Sequence, residues 1–268
     1  STVLNISPDH MDRYDGLEEY IAAKQRIFRG NGTKVVNVDD PAVMTMVKPG
    51  QNILRFTLDV PGEGDFGLRR EGSDTWLARG SERWIAAADL QISGDHNLAN
   101  ALAALAMGHA LGWRRKEMLA ALREFTGLAH RTTLVMEHAG VRWFDDSKGT
   151  NVGATAAAVR GLPGTMVLIA GGDGKGQDFG PLREALAHTT RAVVLIGRDA
   201  PLIAAALGDS IPLYSAMDMN QAVTIAAQLA QPGDSVLLSP ACASFDMFSS
   251  YEERGAVFTA AARRLVGC

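Results

Sequence analysis

Nine residues in the middle of the chain, WFDDSKGTN at 143–151, place charged and hydroxyl side chains directly after an apolar pair. Seven residues in a row lack an apolar side chain, although an ordinary turn needs only one or two such residues. Charges of both signs are present, and Lys148 supplies a cation beside Asp145 and Asp146. This density of polar groups predicts a turn that binds ligands rather than a plain connection.

Three later segments share this character, each following a short apolar run. They are GGDGK at 171–175, GRD at 197–199 and SPACAS at 239–244. If the apolar runs are parallel strands, these segments lie at the carboxyl edge of one sheet, where ligands bind in such folds. Three of the four segments carry a lysine or an arginine, which suits an anionic ligand, although cations are common on loops in any case.

The segment GGDGKGQDF at 171–179 is not a complete nucleotide P-loop. That pattern requires glycine where Ile169 stands and serine or threonine where Gly176 stands, and the missing hydroxyl would be the magnesium ligand. The segment GNGTK at 30–34 fails as well, because a strand follows it rather than a helix. The glycines at 171–176 still permit close backbone approach to a ligand, and a flexible strand-to-helix turn is the alternative.

Lys24 stands out because helical periodicity places it among apolar residues. The stripe consists of Leu17, Tyr20, Ile21, Lys24, Ile27 and Phe28. A lysine in such a position either extends its ammonium to solvent or meets a partner. Burial would lower its pKa, and the neutral amine could then capture carbon dioxide as a carbamate, an oxygen ligand suited to Mg²⁺.

Three other residues are candidates of lower specificity. His10 lies between two aspartates in SPDHMD, which makes a metal corner possible, although a lone loop histidine is usually solvated. Asn97 and Asn100 stand at the start of an alanine-rich helix, where their amides could contact the edge of an adenine. Asparagine is also an ordinary residue at the start of a helix.

The elements that must position these residues differ between the two halves of the chain. The first half is a mixed α/β segment. Its predicted strands are Val3 to Ile6, Thr33 to Val38 and four short antiparallel strands (Ile53 to Val60, Phe66 to Arg70, Thr75 to Arg79, Arg83 to Ala86). Its predicted helices are Leu17 to Phe28, a short helix from Pro41, Asn97 to Leu111 and Arg115 to Phe125.

The second half begins with a hairpin at Thr133 to Phe144 and then alternates helices with short apolar strands. Such alternation is typical of an α/β fold with a mostly parallel, Rossmann-like sheet covered by helices on both faces. The predicted strands are 165–170, 192–196, 211–214 and 235–239. The predicted helices are 151–160, 181–188, 199–207, 217–230 and 250–265.

Composition narrows the functional classes. The 268 residues are 47% apolar and 21% charged, which suits one or two globular domains, and the net charge of −4 argues against a nucleic-acid binder. No apolar run approaches the ~20 residues of a membrane span. Two cysteines, Cys242 and Cys268, make no disulfide framework, so we expect a cytoplasmic protein. Because an apolar strand begins almost at Ser1, we expect this chain to be part of a longer protein.

Seven blocks in order carry a family resemblance over essentially the whole chain. They are LNISPDHMDRY at 4–14, AAKQRIF at 22–28, SGDHNLANALAALA at 93–106, GLAHR at 127–131, DDSKGTN at 145–151, GGDGKGQDF at 171–179 and LLSPACASFDMF at 237–248. Together they resemble the Mur ligases, the ATP-dependent amide-forming ligases of bacterial cell-wall synthesis, and most of all the D-glutamate-adding branch. The resemblance implies the later part of a central ATP-binding domain at 1–127 and a C-terminal Rossmann-like domain for the amino acid at 128–268.

The resemblance also implies a reaction. ATP would phosphorylate the carboxylate of UDP-N-acetylmuramoyl-L-alanine, and the amine of D-glutamate would attack the acyl phosphate to give an amide and phosphate. ATP, Mg²⁺ and the two small substrates would be the only partners, with no nucleic acid, no membrane and a monomeric chain. Because the P-loop half of the central domain is absent from this sequence, we expect the chain alone to be inactive.

Site residues carry over from the family position by position. The resemblance implies that His10 and a carbamate (N6-carboxylysine) on Lys24 bind Mg²⁺. It also implies that Asn97 and Asn100 contact adenine and that Arg131 and Asp146 contact the rest of ATP. It assigns Lys24 and Lys148 to catalysis, and it assigns to D-glutamate the residues Thr150, Lys175, Ser244 and Tyr251. Phenylalanine is expected at position 251 at least as often as tyrosine.

The loops of the second half favour the D-glutamate branch, but three alternatives stay open at this point. The loop Gly197 to Ala200 lacks the D-N-P-R motif of the diaminopimelate- or lysine-adding relatives, and Lys175 offers a cation to an acidic amino acid. Another Mur ligase or a folylpolyglutamate synthase nevertheless remains possible within the family. A non-catalytic module that binds a nucleotide or an amino acid is the alternative from another class.

Overall fold

The computed structural model describes residues 1–8, 13–92 and 94–265. The chain divides into two compact units. The first unit contains Ser1–Ser7 and Arg13–Thr126, and residues from Gly127 onward belong to the second. None of the helices in the described ranges combines the length and the apolar character that crossing a bilayer requires.

The first unit is a six-stranded sheet whose strands follow one another in chain order. Strands β1 to β4 pair in parallel, whereas β4, β5 and β6 form an antiparallel meander. The strands are β1 (Thr2–Val3), β2 (Lys34–Asn37), β3 (Ile53–Phe56), β4 (Phe66–Glu71), β5 (Asp74–Arg79) and β6 (Glu82–Ala86). The helices are α1 (Leu17–Gln25), α2 (Pro41–Thr45), α3 (Asp95–Ala110) and α4 (Arg115–Glu124).

The predicted elements of this unit are present, but the first strand is Thr2–Val3 rather than Val3 to Ile6, and another strand runs in a different direction than expected. The strand from Ile53 ends at Phe56 and is parallel to β2, not part of an antiparallel set. Helix α2 explains the direction, because it carries the chain back across the sheet between β2 and β3. Asp40 starts this helix by accepting a hydrogen bond from the Val43 amide (3.0 Å), with Pro41 in the first turn.

The apolar stripe predicted for α1 is wrong at Lys24. The side chains of Leu17 and Ile27 are 38% and 52% exposed, and Lys24 is exposed as well, whereas Tyr20 and Phe28 are buried. After Gln25 the chain tightens into a 3-10 turn, which shifts the angular positions of the last residues and turns Phe28 into the core. The burial from which a carbamate on Lys24 was predicted is therefore absent.

Helix α3 supplies most of the core of the first unit. Its residues Leu102, Leu105 and Ala106 are fully buried and belong to one apolar cluster with Phe56 and Phe66 of the sheet. Alanines at successive turns let the helix approach the strands closely.

The second unit is a six-stranded sheet in the order β11-β10-β9-β12-β8-β7. Only the β7–β8 pair is antiparallel; every other neighbouring pair is parallel. The strands are β7 (Thr133–His138), β8 (Val141–Asp145), β9 (Met166–Gly171), β10 (Thr190–Ile196), β11 (Leu213–Ser215) and β12 (Ser235–Leu238). The helices are α5 (Val152–Gly161), α6 (Gly180–Leu186), α7 (Ala200–Leu207), α8 (Met219–Leu229) and α9 (Tyr251–Arg264).

Both faces of this sheet are buried, as the continuous apolar strands predict. Along β9, Val167 and Ile169 belong to the cluster formed with α8 and α9, while Leu168 and Ala170 belong to the cluster formed with α5, α6 and α7. The strand alternation therefore divides one apolar run between two layers of helices. The predicted α/β class is confirmed for this unit.

Candidate functional site

The polar segments that follow β8, β9, β10 and β12 lie side by side at the carboxyl edge of the second sheet. Short main-chain hydrogen bonds tie each to its neighbour. Asp146 N donates to Leu238 O (2.8 Å), Gly171 N to Pro240 O (2.8 Å) and Asp199 N to Gly172 O (3.0 Å). The four segments identified in the sequence thus form one surface at the position where α/β sheets bind ligands.

Asp146 anchors the first of these segments. Its Oδ1 accepts hydrogen bonds from Thr132 N (3.0 Å) and Thr132 Oγ1 (3.1 Å), and its Oδ2 accepts one from Ser239 Oγ (2.6 Å). Burial raises the pKa of Asp146 to about 6, and these hydrogen bonds oppose the rise. Both carboxylate oxygens therefore already accept hydrogen bonds within the protein.

Gly149 permits the tight path of this segment. A Cβ built there would lie 2.5 Å from both Asp146 Oδ2 and Ser239 Oγ, so only glycine lets the backbone pass over the carboxylate. The carbonyl of Gly149 accepts a hydrogen bond from Ala241 N (2.8 Å), which joins the β8 segment to the β12 segment.

Lys148 lies against Tyr251, the first residue of α9. Its Nζ is 4.0 Å from the centroid of the Tyr251 ring, and the ring of His130 meets the same tyrosine edge-on with centroids 6.0 Å apart. The Lys148 amide donates to His130 O (3.0 Å). The structure thus brings together two of the residues predicted for the site, and it holds the lysine by a cation–π contact.

His130 and Asp145 form a pair that was not assigned from the sequence. His130 Nδ1 is 2.7 Å from Asp145 Oδ2, and Asp145 Oδ1 accepts a hydrogen bond from Ser147 N (2.9 Å). Helix α9 packs directly on this pair, because a Cβ on Gly255 would collide with His130 Nδ1 and Asp145 Oδ2. The GLAHR block contains the histidine, but no local pattern shows that it faces the end of β8.

Arg254 was also missed, although its position gave a signal. It is 1% exposed, and it stands four residues before the buried Phe258 on the inner face of α9. Its Nε donates to Ser147 Oγ (3.0 Å), its Nη2 to Ser147 O (2.8 Å) and its Nη1 to Cys242 O (3.0 Å). Burial lowers the pKa of this guanidinium to about 10. One side chain therefore fastens the β8 segment to the β12 segment.

The cations of the carboxyl edge are not equivalent. Arg198 Nη2 is 2.5 Å from Asp173 Oδ1, and Arg198 Nε is 3.4 Å from Asp199 Oδ1, so this arginine is already paired. Lys175 has a positive φ of 50°, and its amide donates to Asp173 Oδ1 (3.0 Å). No ion pair involves Lys148 or Lys175 within the described part of the chain, so both lysines are available to an anionic ligand.

Two more predicted residues lie in these segments. The Thr150 amide donates to Lys148 O (2.8 Å) in the β8 segment. Ser244, in the β12 segment, is 2% exposed, and its carbonyl accepts hydrogen bonds from Met247 N (3.1 Å) and Phe248 N (2.8 Å). Arg131 is exposed near the start of the second unit.

The remaining predicted residues belong to the first part of the chain. Lys24 Nζ lies 5.1 Å from the centroid of the Tyr20 ring at the protein surface. Asn97 and Asn100 are one helical turn apart near the start of α3, the first half-buried and the second exposed. His10 lies outside the described residues. Within those residues, no group of three or more His, Cys, Asp or Glu side chains could hold a metal ion.

Comparison with known proteins gives a consistent result for both units. Residues 1–108 match the Mur ligase middle domain, and residues 130–242 match the glutamate ligase domain of Mur ligases. The chain belongs to the Mur ligase family. This membership accounts for both sheets, since each domain match covers one of them.

Several curated Mur ligases resemble this chain closely, and all three named here are UDP-N-acetylmuramoylalanine--D-glutamate ligases. The enzyme of Nitrosococcus oceani is 54% identical over 268 residues, a match that covers 99% of this chain and 59% of the relative. The enzyme of Aromatoleum aromaticum is 55% identical (99% and 58%), and that of Pseudomonas aeruginosa is 51% identical (99% and 60%). The chain thus spans about 59% of the length of these relatives.

Solved Mur ligase structures share the fold. UDP-N-acetylmuramate-alanine ligase from Thermotoga maritima matches with a TM-score of 0.68 at 17% identity and covers 100% of this chain and 60% of its own. MurF ligase from the same organism, solved with ADP, matches with a TM-score of 0.69 at 19% identity (98% and 62%). Folylpolyglutamate synthase from Mycobacterium tuberculosis matches with a TM-score of 0.67 at 18% identity (100% and 63%).

Proposed function

We propose that this chain is the ATP- and amino-acid-binding part of a ligase that joins D-glutamate to UDP-N-acetylmuramoyl-L-alanine. One observation carries the proposal: relatives more than 50% identical over 99% of the chain bear the name of that enzyme. Similarity to folylpolyglutamate synthase is 18% identity and extends to the fold alone. We assign residues 1–127 to the central domain and 128–268 to the C-terminal domain.

In the proposed reaction, ATP phosphorylates the carboxylate of the UDP-linked substrate. The amine of D-glutamate then attacks the acyl phosphate, and the tetrahedral intermediate collapses to an amide and releases phosphate. Phosphoryl transfer depends mainly on positioning and on neutralising charge. We assign the second task to Lys148, whose ammonium is held at the Tyr251 ring and makes no salt bridge with a described residue.

We assign D-glutamate to the carboxyl edge of the second sheet, with Thr150, Lys175, Ser244 and Tyr251 as its contacts. Lys175 supports this assignment because Arg198, the other cation of that region, is neutralised by Asp173 and Asp199. An amino acid with a side-chain carboxylate gains a charge-assisted hydrogen bond from such a lysine.

The proposal also includes the nucleotide and its metal. Asn97 and Asn100 would contact adenine, while Arg131 and Asp146 would contact the rest of ATP. Asp146 would have to share its carboxylate between ribose and Thr132. Mg²⁺ at His10 and at a carbamate on Lys24 rests on the family resemblance alone. We place the reaction in the cytoplasm, with a monomeric enzyme.

Acceptor specificity on the complete gene product tests the proposal. Phosphate release is measured with ATP, Mg²⁺ and UDP-N-acetylmuramoyl-L-alanine, and with D-glutamate, L-glutamate or diaminopimelate as acceptor. We expect amide product with D-glutamate and about a hundredfold or greater loss of kcat/KM in Lys148→Ala. Lys116→Ala, an exposed lysine of α4, is the matched control.

Two results would contradict this function. Preference for another acceptor would assign the chain to a different branch of the family. Binding of nucleotide and amino acid without any turnover by the complete protein would make it a non-catalytic module. We further expect no ATP hydrolysis by the 268-residue chain alone.

The carbamate has its own test. Trapping with labelled carbon dioxide should give a carbamate signal on the complete protein, and Lys24→Ala should abolish it. Tyr20→Leu, which removes the ring beside Lys24, should leave the signal in place. A signal of equal size in Lys24→Ala would refute carbamylation at this lysine.

A further inference from the structure

A cavity of about 330 Å³ lies in the first unit, between the end of α1 and the segment that follows α2. Three of its lining residues, Arg26, Arg29 and Lys48, are cationic, and none is acidic. All three are exposed, and none makes an ion pair with a described residue. In a protein of net charge −4, this is a local concentration of uncompensated positive charge.

Buried and hydrogen-bonded residues form the walls of this cavity. Phe28 and Met46 also line it and are only 3% and 1% exposed, so they give it a fixed apolar base. Gln25 Nε2 donates to Met46 O (3.0 Å), and Gln51 Oε1 accepts from Lys48 N (3.0 Å). The first bond joins the end of α1 to the segment after α2, and the second stabilises that segment, so the cations stand on a connected framework.

A fourth cation, Lys34, is hydrogen-bonded to a residue that lines the cavity. Lys34 is 2% exposed, and its Nζ donates to Gly30 O (2.5 Å) and Gly32 O (2.7 Å). Gly30 itself lines the cavity. No acidic side chain in the described part of the chain pairs with Lys34. A buried ammonium that is satisfied only by carbonyls adds its full charge to the field inside the cavity.

The cavity lies on the side of α1 away from Lys24. Ala22 and Arg26 line it, and Lys24 is two residues from each, a spacing at which helical side chains do not share a face. The cavity is therefore not part of the environment assigned above to Lys24, and it stands independently of the proposed ligase reaction.

We propose that this cavity binds a small phosphate-bearing anion. Two guanidinium groups offer the planar donor pairs that match phosphate oxygens, and Lys48 and Lys34 add charge for a dianion. The volume exceeds that of free phosphate, so the cavity has room for a small organic part beside the phosphate group. A phosphate monoester therefore fills more of the cavity volume than inorganic phosphate does.

Calorimetric titration of the 268-residue chain at constant ionic strength tests the site. The probes are glycerol 3-phosphate, inorganic phosphate and citrate. We expect glycerol 3-phosphate to bind more tightly than inorganic phosphate, and the double variant Arg26→Gln/Arg29→Gln to weaken both by about tenfold or more. The matched control is Arg160→Gln/Arg183→Gln, which removes two exposed arginines of the second unit and should leave both affinities unchanged.

Every other outcome overturns the proposal. Equal affinities in the double variant and the control would place any phosphate binding elsewhere. An absence of binding at about 10 mM probe would remove the site. Citrate binding that requires Arg26 without phosphate binding would assign the cavity to carboxylates instead. Because Arg26 and Arg29 are exposed, Lys48→Gln serves as a second, single-site variant with the same expected direction.

Discussion

The ammonium of Lys148 lies 4.0 Å from the centroid of the Tyr251 ring, so the charge proposed for catalysis is positioned by the first residue of α9. Phenylalanine at position 251 could make the same contact with Lys148 as tyrosine does, because a cation–π contact needs the ring face and not the hydroxyl. The aromatic ring, rather than the phenolic group, is thus the property of Tyr251 that matters here.

We predict that Tyr251→Phe keeps kcat/KM for D-glutamate within about twofold of the wild type, whereas Tyr251→Leu lowers it severalfold. Leucine preserves apolar volume but offers no π-face to Lys148. Steady-state kinetics of the complete protein measure the difference. A loss in Tyr251→Phe equal to that in Tyr251→Leu would show that the hydroxyl carries the role.

Arg254 should contribute to stability through the two carbonyls that it satisfies. In Arg254→Met, Ser147 O and Cys242 O lose their buried donor, at about 1–3 kcal/mol for each unsatisfied group. Relief of the desolvation that lowers the pKa of Arg254 offsets part of this cost. We expect a net loss of about 2 kcal/mol in the free energy of unfolding, measured by urea denaturation. Arg263→Met, an exposed arginine of the same helix, should change it by less than about 0.5 kcal/mol.

Gly255 should not tolerate alanine, despite the higher helix propensity of alanine. The new Cβ would meet His130 Nδ1 and Asp145 Oδ2, so α9 must move away from the end of β8. We predict a loss of about 1–3 kcal/mol in the free energy of unfolding. Gly32→Ala, where no atom lies within 4 Å of the added Cβ, should be close to neutral. Equal effects of the two substitutions would show that α9 adjusts without cost.

Asp146 should make stability depend on pH in the acid range. Burial raises its pKa to about 6 from an ordinary value of 3.8, so the folded state holds a proton that the unfolded state releases. Its contribution is present in full below pH 3.8 and is lost as the pH rises through 6, a change of roughly 3 kcal/mol. Asp146→Asn should flatten this part of the stability profile.

The control for that experiment is Asp74→Asn, an exposed aspartate of β5. Its profile should run parallel to that of the wild type between about pH 4 and about pH 7. If the stability profile of Asp146→Asn also runs parallel to that of the wild type, the Asp146 carboxylate is already ionised in the folded protein at about pH 4.

The sequence predicts the second sheet well, because its strands are continuous apolar runs and its helices are amphipathic. Both patterns can be recognised in the sequence without knowing which elements pack against each other. The direction of β3 was not predictable in this way. The turns after Ile53 resemble those of a meander, and nothing in the strand itself shows that the five residues of α2 suffice for a parallel crossover.

Lys24 and Arg254 mark the limit of periodicity for side chains. Lys24 was predicted to lie on an apolar stripe and is exposed, whereas Arg254, for which no role was predicted, is buried. The difference lies in what faces each helix. Carbonyls at residues 147 and 242 meet Arg254, and the first of these is 107 residues away in the chain. Contacts at such separation leave no trace in the local spacing.

Strand β12 is the last to be made, yet it lies between β8 and β9, in the middle of the second sheet. Until it is inserted, β8 and β9 have no bond to each other, and the segment from Asp145 to Thr150 lacks Ser239, Ala241 and Arg254 as partners. During synthesis on the ribosome, the edges of β8 and β9 that pair with β12 therefore stay unpaired. These apolar strand edges remain accessible to chaperones, or to other nascent chains, until β12 and α9 emerge.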